Sequence, residues 1–181
     1  MGKVEELIEV YGRRIALPWE EMLSDQEKVW FCVYEPVYER RIQARLEEFK
    51  IKTVTAGHRW VHYDICGDFE SWLIENEYHE EYFKNPSDLE YDLPDFCSYM
   101  VDTLSTKLGE GDSNTVSAIT GIGTLFGIVR ASTIIDNLIR QTRVSGRLLF
   151  FFPGDRDGRN YRLLKARDGW NYLATPIEVE E

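Results

Sequence analysis

The chain has 181 residues, and 43 % of them are hydrophobic, enough to close the core of one domain over residues 1–181 and too many for a disordered chain. Its 32 Asp and Glu against 21 Lys and Arg leave a net charge of −11, which repels phosphates over most of the surface and argues against direct nucleic-acid binding. The opening MGKVEELIEVYGRR has no apolar leader, no apolar run nears the ~18 residues of a membrane span, and Cys32, Cys66 and Cys97 show no zinc or disulfide spacing, so a reduced, cytoplasmic protein away from membranes is expected.

In chain order, Val4, Leu7, Ile8, Tyr11 and Ile15 recur at helical spacing and predict an amphipathic helix that ends before Pro18, with a short further turn through Met22. Val29–Tyr34 is a continuous run of β-formers and predicts a strand buried on both faces. Pro36 suits the first turn of the following helix, which sets Tyr38, Ile42, Leu46 and Phe49 on one side. Gly57 opens a turn, and Trp60–Cys66 reads as a second strand, so two of the cysteines are placed in apolar strands. Asp68–Asn85 predicts a helix with Trp72, Leu73, Tyr78, Tyr82 and Phe83 as its apolar side. A helix starting at Ser87 or Pro94 runs through Phe96, Met100, Val101, Leu104 and Leu108 to a stop at Gly109. Val116–Thr120 is a third strand and Ile128–Arg140 the helix after it. Leu148–Phe152 is the fourth strand, broken by Pro153-Gly154, with a polar turn over Asp155–Asn160 and short elements at Tyr161–Leu164 and Trp170–Ala174.

Strands that alternate with helices predict an α/β fold of three layers around a mostly parallel sheet, loosely Rossmann-like or P-loop-like but without a phosphate loop. Charge is unevenly spread along it. Asp68 to Asp112 holds thirteen acidic residues against Lys84 and Lys107, whereas Arg143 to Asp168 holds seven basic residues against three acidic ones. Solvated surface accounts for both; an acidic docking face and a separate basic contact are the sharper reading.

The chemistry-bearing motifs are incomplete. Thr120-Gly-Ile-Gly-Thr-Leu-Phe-Gly127 stands between a strand and a helix, where a phosphate-binding turn would stand, but its spacing is GxGxxxG and no GxxxxGK[ST] occurs. Close packing of the turn is the better reading of Gly121 and Gly123, and a nucleotide-binding switch on a degenerate fold the alternative. Asp64 reads as a strand-end cap rather than a metal ligand, and the interval from His58 to His62 crosses from a turn into a strand, so no metal or cofactor is expected. No GxSxG elbow surrounds any serine, so no catalytic residue is assigned. The Arg- and Gly-rich loop after the fourth strand, with its returning aromatics, is the least generic segment. Together with Arg130 it nominates Arg156, Arg159, Arg162, Arg167 and Trp170 as partner-binding residues.

The segments KVWFCVYEPVYERRIQARL, AGHRWVHYDI, SWLIENEYHEEYF, TGIGTLFGIVRASTII and RLLFFFPGDRDGRNYRLLKARDGWNYLATPI together resemble the BrxB family of BREX (bacteriophage exclusion) systems. The resemblance implies an accessory, non-enzymatic subunit of an antiviral defence complex, with a PglZ-like protein as its partner and other BREX components, among them the methyltransferase PglX, around it. A DNA-contacting accessory role through Arg143 to Arg167 stands beside it as the weaker alternative.

Overall fold

The most apolar segments form the centre of the sheet. In the computed structural model, which describes residues 1–180, β1 (Val29–Tyr34) and β3 (Thr115–Thr120) are buried at every residue, and β4 (Arg147–Asp157) at its first eight. β2 (Arg59–Asp64) and β7 (Thr175–Ile177) flank them in the order β2-β3-β4-β1-β7, and every pairing along that order is parallel. Strand side chains alternate between faces. Val29, Phe31 and Val33 therefore share one side with Leu148, Phe150 and Phe152, under α4 (Asp68–Glu75), α6 (Leu89–Leu108) and α7 (Ala131–Gln141). Trp30, Cys32 and Tyr34 share the other with Leu149 and Phe151, under α1 (Lys3–Ile15), α2 (Glu39–Ala44) and α3 (Leu46–Thr55). This is the expected three-layer α/β arrangement.

Several boundaries differ from the sequence reading, each for a local reason. Residues 68–85 do not make one helix: Asn76 is extended and its Oδ1 accepts the Tyr78 N–H at 2.9 Å, which ends α4 and starts α5 (His79–Lys84) afresh. Tyr82 is buried, but Tyr78 and Phe83 are exposed and do not belong to the apolar side. Pro94 lies inside α6 rather than at its start, and Glu90, whose carbonyl an N–H at that position would have bonded, is an exposed residue. Glu21 and Met22 form a bend rather than a helical turn. Of the cysteines only Cys32 is in a strand; Cys66 follows β2 and is exposed, and Cys97 is in α6.

The largest correction concerns β4, which runs straight through Pro153-Gly154. Pro153 stays in parallel register with Tyr34, and at Gly154 the strand turns to an antiparallel partner, β5 (Asn160–Leu163). A Cβ on Gly154 would run into the Arg162 carbonyl, so only glycine permits the close approach. β5 pairs with β6 (Trp170–Asn171), and this three-stranded arm folds over the sheet. Phe31 receives it: its ring centroid lies 4.7 Å from Tyr161, 5.5 Å from Trp170 and 5.8 Å from Tyr172. Leu164, at φ 52°, turns the chain out of β5 and is fixed by its N–H bond to the Pro153 carbonyl at 2.8 Å. The chain then returns as β7, an edge strand that tolerates Pro176 because one of its sides has no ladder to complete.

Candidate interaction site

α7 and the arm enclose two clefts that share Trp170, whose half-buried ring lines both. The first, about 520 Å³, lies at the start of α7 and is walled by Phe126, Phe152, Tyr161 and Leu163. Arg130, Lys165 and Arg167 stand around it, with Asp168 as the single acidic residue of its lining. The second, about 490 Å³, lies towards the other end of α7 and carries Arg140, Arg159 and Asp136. Burial pushes the Asp136 carboxyl up, against the pull of Arg140. Arg130, Arg140, Arg159, Lys165 and Arg167 are all exposed, and none of them makes an ion pair among the described residues. Arg130 occupies the N-cap of α7 in extended conformation, with no side chain capping the helix and no acid in its first turn. The positive end of that helix therefore adds to the field of the first cleft.

The six residues nominated from the sequence divide into two groups. Arg130, Arg159, Arg167 and Trp170 meet on this surface. Arg156 and Arg162 are engaged by other residues of the chain. The Arg156 Nε donates to Glu178 at 2.9 Å and its guanidinium to the Gly158 carbonyl at 2.6 Å, while Arg162 bonds Asp155, its cross-strand neighbour, at 2.8 Å. Arg162 braces the hairpin, and Arg156 also ties it to the segment after β7. Arg147, counted with the basic segment, is 5 % exposed: it donates to the Glu20 carbonyl at 2.9 Å and lies 4.7 Å over the Trp19 ring, which stacks at 3.8 Å on His58. Burial pulls its pKa down, against the opposing charge of Glu20. Sequence reading counted Lys165 with the basic segment without nominating it, and left out Arg140. Lys165 stands two residues from Arg167 in the same loop; for Arg140, at the far end of a helix, the chain gave no sign that it would come near Trp170.

A further crevice, about 560 Å³, opens at the carboxyl ends of β1 to β4, where parallel sheets commonly bind ligands. Asp64, Cys66, Glu39, Gly121 and Gly123 line it. The Asp64 carboxylate caps the turn after β2 by accepting the Cys66 N–H at 3.0 Å, as its strand-end position suggests. Gly121 has φ 87°, and a Cβ there would stand 2.6 Å from Asp64 Oδ1 and 2.8 Å from the Cys66 nitrogen. The turn thus packs against the exit of β2, rather than against a helix. A short 3-10 segment, Ile122–Leu125, follows it, and α7 begins only at Ala131. The Cys66 thiol is pushed up by burial and then by the charges of Asp64, Glu70, Glu39 and Asp68, so it stays protonated and weakly nucleophilic at neutral pH. His62 Nε2 is bonded to Thr120 Oγ1 at 2.8 Å and His58 Nδ1 to Asn114 at 2.6 Å. No group of three or more His, Cys, Asp or Glu that could hold a metal ion occurs among the described residues, and no helix there is long and apolar enough to cross a membrane.

Three layers, a mostly parallel sheet and a cationic, aromatic-walled surface beside one helix define a small open-sheet α/β protein. A family model described as "BREX protein BrxB" matches residues 71–177, more than half of the chain, and the chain belongs to the BrxB family. Membership makes it a component of a BREX antiviral defence system. The matched residues run from α4 to the end of β7 and include Trp170 and all five cations around it; the resemblance in KVWFCVYEPVYERRIQARL and AGHRWVHYDI lies outside them. No curated protein and no solved structure matches the chain.

Proposed function

We propose that this chain is a non-catalytic, cytoplasmic interaction subunit of its BREX system and that it engages a PglZ-like component through the surface formed by α7 and the β5–β6 arm. The observation that carries this reading is the gathering of five cations, each without an ion pair among the described residues, around one half-buried tryptophan on a chain of net charge −11. Arginine and tryptophan are the residues that most often dominate binding energy at protein interfaces. Arg130, Arg159, Arg167 and Trp170 make the contact; Arg156 and Arg162 act by keeping the hairpin rigid. The protonated Cys66 thiol and the capping role of Asp64 support the non-catalytic part, because neither group is set up as a nucleophile or a base.

The same proposal takes residues 1–181 as one domain. β1 lies outside the matched segment, yet it stands between β4 and β7 and supplies Phe31, on which the arm rests. Co-expression of the full chain with the PglZ-like protein of a BREX locus tests the role: the two should co-purify and elute together. Separate elution at micromolar concentration would contradict it.

A further inference from the structure

We infer that the two clefts beside Trp170 form one continuous docking groove for an extended acidic segment of another protein, with an apolar side chain of that segment seated against Trp170. The inference rests on the interaction role proposed above but not on which BREX component is the partner.

Length, charge and shape point to the same occupant. α7 has eleven residues, so the groove along it is about 16 Å long, the span of about five extended residues. Arg130, Lys165 and Arg167 stand at the first cleft, and Arg140 and Arg159 at the second. Five exposed cations thus face two acidic residues of the lining, Asp168 and the part-buried Asp136. The rest of the protein is strongly acidic, so an acidic segment is repelled elsewhere and drawn here.

The cations are exposed, and the first cleft between them is walled by Phe126, Leu163 and Trp170, whereas Gln26, Asp136 and Asn171 give the second a more polar lining. That arrangement fits a chain with carboxylates outside and one apolar anchor inside. A small phosphate ester would instead need its cations to converge at depth.

The test uses the full chain and fluorescein-labelled peptides of about eight residues: one of Glu with a central Leu-Phe pair, one of Glu and Gly alone, and one with Lys in place of Glu. Fluorescence anisotropy should show the first binding most tightly, and raising the salt from about 50 to about 500 mM should weaken it about tenfold. The double variant Arg130→Glu, Arg167→Glu should lose at least about tenfold, and Trp170→Ala a similar amount, with unchanged circular dichroism. Arg13→Glu and Arg14→Glu, at exposed positions at the end of α1 on the opposite face of the sheet, should leave binding as it was. Equal affinity for all three peptides, or no loss in the double variant, would overturn the inference. So would tighter binding of a mononucleotide or a single-stranded oligonucleotide, and so would self-association of the chain that disappears in the same variant. Co-purification of the PglZ-like protein is read separately. If it persists while the acidic peptide fails, the groove is wrong and the role stands; if it fails while the peptide binds, the partner is wrong and the groove stands.

Discussion

Phe31→Leu probes the joint between the sheet and the surface described above. Phe31 is fully buried, and its ring contacts five others, Phe150, Phe152, Tyr161, Trp170 and Tyr172, at centroid distances of 4.7–5.9 Å. Leucine keeps most of the hydrophobic transfer energy, so the loss comes from the ring contacts and the space left behind. One aromatic pair contributes about 0.5–1.5 kcal/mol beyond area, but five pairs that share one ring do not add, and with the residual cavity the cost is about 2–3 kcal/mol. For a chain of this size that lowers the melting temperature by about 5–10 °C. Three of the five partners belong to the arm, so the damage should be local as well as global. Hydrogen exchange followed by mass spectrometry should show faster exchange over residues 158–173, including the Tyr172 N–H that bonds the Arg159 carbonyl, with little change in α1 or α3. A stability loss below about 0.5 kcal/mol, or exchange that quickens evenly across the chain, would refute the reasoning that Phe31 seats the arm.

Three further outcomes are expected. Arg147→Met removes two carbonyl hydrogen bonds and a guanidinium stacked on Trp19; offset by relief of the buried charge, it should lower stability by about 2 kcal/mol in urea unfolding, with Arg147→Lys recovering less than half. Gly121→Ala places a Cβ at φ 87° and 2.6 Å from Asp64 Oδ1, and should cost about 2–4 kcal/mol by the same measurement. Burial holds the His62 imidazole below its ordinary value of 6.5, so the unfolded chain takes up the proton first. The stability this confers is present above that value and is lost as pH falls through the lower folded pKa. His62→Gln should therefore show a smaller drop in urea midpoint than the parent between about pH 7.5 and pH 5.

The parts of the fold that were legible in the chain are those set by one short-range rule. Val29–Tyr34 and Leu148–Phe152 are apolar without alternation because both faces of their strands are covered, and the 3.6-residue spacing of Val4 to Ile15 is the buried stripe of α1. Where a long-range contact decides, the chain misleads. Pro153-Gly154 has the composition of a break, yet the register with Tyr34 carries the strand through and glycine lets the arm approach. Thr175–Ile177 has only three residues, one of them proline, and becomes a strand because β1 offers a free edge. The candidate site followed the same division. Arg167 and Trp170 drew attention by their local composition, but the difference between Arg156, held by Glu178, and Arg159, which makes no ion pair among the described residues, depends on a carboxylate 22 residues away.

The role in the defence complex is most directly tested by pulling down the PglZ-like protein with the tagged full chain, side by side with its Arg130→Glu, Arg167→Glu form and the Arg14→Glu control. The account predicts a complex that survives size-exclusion chromatography with the parent chain and the control, and that falls at least about tenfold in yield with the double variant. Equal recovery with all three chains would move the contact off this surface, and no recovery with any of them would contradict the proposed partner.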